Sequence, residues 1–348
     1  MNSTAPTPII VLNWNGLDDT LECVESLLTQ SEQNFVIHLV DNGSAGDDFD
    51  QLNTRYAGHE QVKLMSNASN LGFTRGVNQA LRSVLNQPQP PKQVVLLNND
   101  TVVDSRWLEH LIKASREQNM DIVGCQMVNY YRPGELDNAG HIWMDSGEIL
   151  PRGTGEPAAK YQTAETLIGV CAGAMLISTR LLEEIGLFDE FFQTGYEDAE
   201  FGLRAFVAGY GSYYEPKALV HHKISQSVDK VRTQEYALRI ALNINYTYGK
   251  LAPPLVMACN APFLAIKTLG VLLVALMSGR MVLFRAHLGA LGATWRALPE
   301  IRAARKSTHA LRKTSSGQLL RAQRFFLPRH LSYFRRYILS GKKTVFER

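Results

Sequence analysis

The stretch VVLLNND, residues 94–100, decides the fold class, because four apolar residues lead directly into two amides and an acid. A short apolar run of this kind indicates a buried strand, and Asn98, Asn99 and Asp100 mark the point where that strand ends. Three upstream segments end in polar residues in the same way: PIIVLN (8–13), FVIHLVDNGS (35–44) and VKLMSN (62–67).

Two segments between these strands, 18–30 and 76–84, have apolar residues at helical spacing and are predicted to be helices. Strands and helices that alternate in units of about 25–35 residues predict an α/β fold with a Rossmann-like, mostly parallel central sheet and helices on both faces. Ligands bind such sheets beyond the carboxyl ends of the strands. Downstream, the same reasoning predicts helices at 107–115 and 199–209, a short helix that runs into a turn within 181–192, and strands at 122–128 and 213–220.

The composition of the 348 residues, 45% hydrophobic and 20% charged, excludes a disordered or collagen-like chain. The four cysteines form no CxxC pair, which favours neither a disulfide framework nor a cysteine zinc site. The start, MNSTAPTPII, lacks the basic and long apolar regions of a secretory signal. We therefore expect a cytoplasmic location.

Charge is distributed unevenly along the chain. Residues 279–348 carry 16 Lys and Arg against 2 acids, whereas residues 1–278 carry 20 against 31. A basic tail of this kind usually binds nucleic acid or anionic lipid. The tail also contains aromatic and apolar residues, which suits an anionic leaflet better than nucleic acid. These residues are Trp295, Leu298, Phe325, Phe326, Leu327, Tyr333, Phe334 and Tyr337.

The apolar segment before this tail, residues 255–278, is long enough to cross a bilayer. Asn260, Pro262 and Lys267 are unfavourable for a span. A helix or helical pair that lies in the membrane interface, or re-enters it, agrees with the pattern at least as well. The alternative is a helical subdomain with a solvated basic face.

Polar side chains at the ends of the first two strands, Asn13, Asn15 and Asp41, could bind a nucleobase and ribose. Alternatively, they only cap turns, as Asn and Asp often do. The stretch NLGFTRGVNQAL (70–81) places two glycines before a helix, where a diphosphate or base could approach the backbone. It is neither a GxGxxG nor a P-loop pattern, so alone it is a weak signal.

An ionised Asp100 at the end of a buried strand is costly unless something positive pairs with it. A divalent cation that bridges Asp100 and a substrate diphosphate would supply the partner, and an Asx turn is the alternative. Residues 197–200 place three carboxylates where a helix should begin, which capping explains only in part. A later strand ends in His221 and His222, and a histidine there could complete a metal site.

In chain order these motifs resemble those of family 2 glycosyltransferases of the GT-A fold, especially the bacterial rhamnosyltransferase-like branch. The resemblance covers about residues 8–240 and includes seven motifs: VLNWNG, VDNGS, NLGFTRGVNQAL, LLNNDTVVD, GVCAGAMLIS with GLFDE, GYEDAEFGLRA and ALVHH.

The resemblance implies that Asp41 binds the base or ribose of a nucleotide-sugar, with Gly72 and Asn78 nearby. Asn98 and Asn99 occupy the first two places of an Asp-any-Asp motif and would lie against the donor.

The same resemblance implies that Asp100 is the acidic ligand of Mg²⁺ or Mn²⁺ and that His221 is a further ligand, with His222 a less favoured substitute. Asp198, the second acid of the Glu-Asp pair, would be the catalytic base. Because Asn98 replaces the first acid of the motif, we expect metal binding that is weak or depends on the nucleotide, or a metal that is dispensable.

The implied activity is inverting, non-processive transfer of L-rhamnose or another hexose from a dTDP- or UDP-sugar to a glycan. We expect this glycan acceptor to be polyprenyl-linked and to lie at the cytoplasmic leaflet. The activity would serve bacterial cell-surface polysaccharide synthesis. The QxxRW motif of processive synthases is absent from the sequence. We expect a catalytic domain over residues 1–248, a membrane-associated helical region over 249–348, and no nucleic-acid partner.

Two alternatives are a nucleotidyltransferase and a membrane-bound sugar-nucleotide-binding protein without turnover. A nucleotidyltransferase would be expected to have a basic Gly-rich loop, and residues 9–20 contain no Lys or Arg.

Overall fold

The computed structural model describes residues 5–193, 195–224, 234–328 and 331, and the chain divides into two units. The first contains the described chain up to His141, together with Pro151–Phe206 and Tyr210–Ile224. The second contains Ile142–Leu150, Val207–Gly209 and the described residues after 224. Tyr333, Phe334 and Tyr337 of the basic tail lie outside the described residues.

Strands of the described chain up to residue 222 are β1 (Thr7–Asn13), β2 (Phe35–Asp41), β3 (Val62–Ser66), β4 (Gln93–Asn98), β5 (Thr101–Val103), β6 (Ile122–Asn129), β7 (Leu136–Asn138), β8 (His141–Met144), β9 (Ile149–Pro151), β10 (Glu165–Leu167), β11 (Ala174–Ser178) and β12 (Ser212–His222). The central sheet has the order β10-β12-β6-β11-β4-β1-β2-β3, with β5 beside β12 and β7 beside β6. Strands β3, β2, β1 and β4 are parallel, β11 is antiparallel to both neighbours, and β6 and β12 are parallel again. The predicted parallel-rich sheet is therefore confirmed.

Helices cover both faces of this sheet. They are α1 (Leu17–Leu28), α2 (Asp48–Tyr56), α3 (Phe73–Leu85), α4 (Trp107–Gln118), α5 (Thr179–Ile185) and α6 (Glu197–Val207). Helices α1, α2 and α4 share a core cluster with Val11 and other residues of one face. Helix α3 packs on the opposite face, because Gly76 lies against Leu12 and neighbouring strand residues point to opposite faces.

One helix differs from the sequence-based prediction. Helix α2 was not predicted, because its sequence is mostly polar and only Leu52 and Tyr56 are buried. The short helix expected within 181–192 is α5, which ends at Ile185, where Gly186 adopts a left-handed conformation with φ +83°.

The carboxyl ends of β1, β2 and β4 meet at one edge of the sheet. The strand register pairs Asn13 with Asp41 and Leu12 with Asn98. Because β11 runs in the opposite direction, its amino end lies at this same edge. The polar strand ends noted in the sequence are therefore adjacent in the fold.

The second unit is largely helical in its described part. Its helices are α7 (Gln234–Leu251), α8 (Pro254–Met277), α9 (Met281–Arg296), α10 (Leu298–Ala310) and α11 (Ser316–Ala322), followed by β13 (Gln323–Arg324). Strand β13 forms a small sheet with β8 and β9. Residue 248, the expected domain boundary, lies inside α7. Among the described residues, α8 alone is long and apolar enough to cross a membrane by length and composition.

Helix α6 packs directly on backbone at Gly169. A Cβ atom added at Gly202 would lie 2.6 Å from the Cα atom of Gly169, closer than real Cβ atoms approach. Since the neighbouring atom is backbone, it cannot move aside as a flexible side chain would.

We expect Gly202→Ala to lower the free energy of unfolding by about 1–3 kcal/mol, because overpacking outweighs the gain in helix propensity. Urea denaturation measures the change. The matched control is Gly292→Ala in α9, where no described heavy atom lies within 4 Å of the added carbon. The control should be neutral or slightly stabilising, and equal effects of the two substitutions would contradict the packing argument.

Candidate active site

A hydrogen-bonded cluster lies beyond the ends of β1 and β2. The side-chain amide of Asn13 is buried and donates to Asp41 Oδ1 (2.8 Å), Ser44 Oγ (3.2 Å) and Asp48 Oδ2 (3.1 Å). Asp41 also accepts the Ser44 backbone N–H at 3.1 Å and is itself buried. Asn13 therefore lies behind Asp41 and supports it, and its expected contact with a nucleobase or ribose stays a prediction.

Asn15 is exposed, unlike Asn13. Its side-chain oxygen accepts the backbone N–H of Ala45 (2.7 Å), and its own N–H donates to Ser44 Oγ (2.9 Å). Its φ of +50° lies in the left-handed region that Asn tolerates better than most residues. Asn15 is thus held at an accessible position beside Asp41.

Asn42 organises the loop that leads to α3. Its side chain is buried and uses both amide atoms. The oxygen accepts from Asn67 Nδ2 (3.0 Å) and Leu71 N (3.3 Å), and the nitrogen donates to Asn70 Oδ1 (3.1 Å) and Gly72 O (3.2 Å). The available signal was an Asn directly after a strand, which also fits an ordinary turn.

Asn78 and Gly72, both expected near the nucleotide, contact the segment that follows α5. Asn78 is buried, and its amide nitrogen donates to Phe188 O (2.8 Å) and Glu190 Oε1 (3.2 Å). Its oxygen accepts the Phe188 N–H at 3.1 Å. A Cβ atom on Gly72 would lie 3.1 Å from the carbonyl oxygen of Gln193. Because both amide hydrogens of Asn78 are used, Asn78 connects this segment to α3. The expected position of Asn78 and Gly72 near the nucleotide stays a prediction.

Asp100 and His222 form the second part of the site. His222 Nε2 lies 3.3 Å from Asp100 Oδ1, and its Nδ1 lies 2.8 Å from Asp137 Oδ2. Burial lowers the pKa of His222, but hydrogen bonds to the two carboxylates and their negative charges outweigh burial and raise the pKa to about 10. His221, the preferred ligand in the sequence analysis, points to the opposite face, because neighbouring strand residues alternate. The geometry therefore favours His222.

The donor atoms present here fit a divalent cation. A carboxylate oxygen of Asp100 and an imidazole nitrogen of His222 are suitable ligands, and Asp137 holds the other imidazole nitrogen as metal-bound histidines usually require. Within the described ranges, no three His, Cys, Asp or Glu side chains form a group that could hold a metal ion. Two protein ligands completed by phosphate oxygens are typical of Mg²⁺ at nucleotide sites.

Asn98 and Asn99 connect the two parts of the site. Asn99 Nδ2 donates to Thr20 Oγ1 (2.9 Å), and Thr20 Oγ1 donates to Asn13 Oδ1 (2.8 Å). The Asn98 backbone N–H donates to the carbonyl oxygen of Gly173 (2.8 Å), just before β11. Both asparagines are half-buried. Their hydrogen bonds hold this edge of the sheet together, and their expected contact with the nucleotide-sugar stays a prediction.

Asp198 lies in the first turn of α6 with 17% of its side chain exposed. Its Oδ2 accepts the Ala172 N–H (3.1 Å), and its Oδ1 accepts the Ala199 N–H (2.7 Å). Gly173, the residue after Ala172, accepts the N–H of Asn98. A short series of backbone hydrogen bonds thus connects Asp198 to the strand that leads to Asp100.

Electrostatic effects also place the two parts at one edge. Burial, followed by the negative charges of Asp198 and Asp137, raises the pKa of the Cys171 thiol well above its ordinary value. Because Coulomb interactions weaken with distance, both carboxylates lie near this thiol. Burial, and then the charge of Asp198, raises the pKa of Glu197 to about 8. At neutral pH Glu197 is therefore mostly protonated beside Asp198.

Comparison with known proteins relates this geometry to a family. The family model described as "Glycosyl transferase family 2" matches residues 9–186, just over half of the chain. This range covers the strand ends at Asn13, Asp41 and Asn98, and the segment before β11.

Curated relatives are distant. The chain is 25% identical over 249 residues to the O-antigen biosynthesis protein RfbC of Myxococcus xanthus. This match covers 68% of this chain and 19% of that protein. It is 24% identical over 239 residues to the N-acetylglucosaminyl-diphospho-decaprenol L-rhamnosyltransferase of Mycobacterium tuberculosis. This match covers 62% of this chain and 76% of that protein. The chain spans between 15% and 27% of the length of the first three relatives that it matches.

Solved structures share the fold. GalNAc-T7 with UDP, GalNAc and Mn²⁺ has a TM-score of 0.54 at 15% identity, over 72% of this chain and 51% of that one. The mannosyltransferase PcManGT from Pyrobaculum calidifontis, with GDP-Man and Mn²⁺, has a TM-score of 0.53 at 17% identity. This match covers 89% of this chain and 87% of that one. The match over residues 9–186 makes the chain a member of glycosyl transferase family 2, and the solved structures show that it shares the GT-A fold.

Proposed function

We propose that this glycosyltransferase is inverting and non-processive, and that it transfers L-rhamnose or another hexose from a dTDP- or UDP-sugar to a lipid-linked glycan. The observation that carries the proposal is the position of Asp198. This partly exposed carboxylate is connected through Ala172, Gly173 and Asn98 to the strand that leads to Asp100. The family match gives no support to the nucleotidyltransferase alternative.

In the proposed reaction, Asp198 accepts the proton of the acceptor hydroxyl as its oxygen bonds to the anomeric carbon. The bond between that carbon and the diphosphate oxygen breaks on the opposite face, and its electron pair leaves with the nucleoside diphosphate. Attack and departure on opposite faces invert the configuration. A general base in this role contributes about 10²–10⁴-fold to the rate.

Asp100 and His222 are the residues proposed to hold the divalent cation on the diphosphate side. When bound, the cation would neutralise charge that develops on the departing diphosphate. Asp137 orients His222 by accepting from its second ring nitrogen. The Mn²⁺ named with both structural neighbours supports a metal here as well.

The names of two relatives support the proposed sugar and acceptor. The Mycobacterium tuberculosis protein is named as an L-rhamnosyltransferase of N-acetylglucosaminyl-diphospho-decaprenol, which supports L-rhamnose and a polyprenyl-linked glycan as substrates. The name of the Myxococcus xanthus relative supports a role in bacterial surface polysaccharide synthesis.

The second unit supports a location at the cytoplasmic leaflet. On α8, Asn260 is buried, and Lys267 is 12% exposed and lies 3.7 Å from Glu148 in the same unit. Exposed residues of α8 and α9 are mainly apolar and include Leu255, Ile266, Leu269, Leu273, Leu276, Met277, Met281, Val282, Leu288, Leu291 and Trp295.

These orientations favour a helical pair that lies in the interface over a span. A spanning α8 would carry Asn260 and the Lys267–Glu148 pair into hydrocarbon, which is costly. A helix on the leaflet surface leaves all three on the protein side and buries only the apolar side. The basic residues of 279–348 would add attraction to anionic lipid.

We expect Asp198→Asn to lower kcat by about 10²–10⁴-fold, because the amide cannot accept the proton. The dissociation constant of the nucleotide-sugar, measured by calorimetry, should change little. Glu183→Gln makes the same chemical change on the exposed side of α5 and serves as the control. Retention of more than a tenth of wild-type activity would exclude Asp198 as the base.

We expect His222→Ala to weaken Mn²⁺ binding in the presence of UDP or dTDP by at least about tenfold, because it removes a ligand. His221→Ala should have a much smaller effect, because that side chain lies on the other face of β12. Titration calorimetry with Mn²⁺ measures both. Equal losses, or a loss confined to the His221 variant, would contradict the assignment.

We expect the full chain to sediment with vesicles that contain phosphatidylglycerol, and the double variant Leu269→Glu, Leu273→Glu to sediment much less. Tyr131→Glu, at an exposed aromatic residue of the first unit, is the control. Alkaline carbonate should release the wild-type protein from membranes, because a surface-lying helix is not held as a span is. Resistance to carbonate would favour a span.

A further inference from the structure

His141 is a buried histidine that contacts Asp198 and has no part in the reaction proposed above. Its side chain is 6% exposed, and Nε2 lies 3.6 Å from Asp198 Oδ2. This separation is within ion-pair range but longer than a hydrogen bond. Hydrogen bonds between catalytic groups are often long without substrate and shorten in the reacting complex.

The backbone fixes His141 in this position. Its N–H donates to the carbonyl oxygen of Gly169 at 2.9 Å. A Cβ atom on Gly169 would lie 3.1 Å from His141 Nδ1 and 3.2 Å from the Cα atom of Gly202 in α6. Gly169 therefore permits both the imidazole and the helix that carries Asp198 to pack closely against one point of the backbone.

The surroundings select one tautomer of the ring. His141 Nδ1 is buried and finds no hydrogen-bond partner among the described residues. A hydrogen on Nδ1 would bury an unsatisfied donor, whereas a hydrogen on Nε2 faces the Asp198 carboxylate. Burial lowers the pKa of His141, and the charge of Asp198 only partly opposes this effect. The neutral ring with its hydrogen on Nε2 is therefore favoured.

The described groups near Asp198 include two buried acidic side chains and two backbone N–H groups, and the charge of Asp137 also acts on one of those side chains, Cys171. Glu197 and the Cys171 thiol are protonated, because burial raises both pKa values. The Ala172 and Ala199 N–H groups bond the carboxylate from the sides of the β11 loop and of α6. His141 approaches the same Oδ2 atom that accepts from Ala172.

We propose that His141 is a positioning residue that donates its Nε2 hydrogen to Asp198 Oδ2 and so holds the carboxylate oriented and ionised for the acceptor hydroxyl. This inference rests on the proposed role of Asp198 as the base. The histidine neither touches the sugar nor takes the proton. Its effect is to stabilise the anionic form of Asp198 by one side-chain donor.

Three substitutions of His141 separate the effect of its hydrogen-bond donor from the effect of its size. Gln places an amide N–H near the position of Nε2, Asn places one near the position of Nδ1, and Ala removes both. We expect His141→Gln to keep most of the activity, and His141→Asn and His141→Ala to lower kcat/KM for the acceptor by about tenfold or more. The dissociation constant for UDP or dTDP should stay within about twofold, because the donor side is untouched.

The pH profile of kcat/KM gives a readout that a structural role would not change. Removal of a hydrogen-bond donor from a carboxylate raises the pKa of that carboxylate. The fall in activity toward low pH, the acid limb of the profile, should therefore begin at a higher pH. We expect the acid limb of His141→Ala and His141→Asn to move upward by about one pH unit, and that of His141→Gln to stay within about 0.3 units.

His38→Ala is the matched control for the loss of a buried histidine. His38 is buried in β2, its Nε2 also finds no partner among the described residues, and burial lowers its pKa to about 4. This variant should lose thermal stability and leave the acid limb in place. All variants are compared at temperatures where circular dichroism shows them folded.

The outcomes distinguish this inference from the proposed function. If the acid limb of His141→Asn and His141→Ala matches that of wild type, or if Gln fails to restore it, His141 is only a packing residue and the inference is overturned. If Asp198→Asn retains activity, the proposed base is wrong, whatever the histidine variants show. Loss of activity in Asp198→Asn together with a displaced limb in His141→Asn supports both.

Discussion

The direction of one strand is the constraint on which the candidate site depends. Strand β11 is antiparallel between β4 and β6, so its amino end lies where the parallel strands end. The Asn98 N–H bonds Gly173 before β11, and the neighbouring Ala172 N–H bonds Asp198. One backbone hydrogen bond and one bond from backbone to side chain thus bring a helix N-terminus from late in the chain to a strand end from early in it. A parallel β11 would place that helix at the opposite edge.

Burial differs between neighbouring acids at this edge. Glu197 is fully enclosed, and burial, followed by the charge of Asp198, raises its pKa to about 8. Asp198 has an exposed side and three N–H groups near it. His222 lies between Asp100 and Asp137, which favour its charged form. If the proposed cation binds at Asp100 and His222, it would displace a proton from His222, because a metal ligand must be a neutral imidazole.

Close packing of glycines sets the distances in the base region. Gly169 and Gly202 meet backbone to backbone, and His141 lies against Gly169 from another direction. Side chains at these two glycines would separate α6 from the sheet by an atom's width, and the Asp198 carboxylate would move with the helix. Asn78 and Asn42 fix the neighbouring loops through buried amide bonds. The accessible groups are thus held by a layer of buried ones.

The amino-acid sequence determined the α/β class, the strand ends and the order of the family motifs, because apolar periodicity and turn residues are local properties of the chain. It did not decide between His221 and His222. A register shift between Glu215 and Leu219 changes which alternate residues of β12 face the core, so Tyr213 and Val220 share one cluster. It also could not show that Asn13 and Asn78 point inward or that His141 reaches Asp198. Those facts depend on strand register and helix packing, which only the assembled tertiary structure fixes.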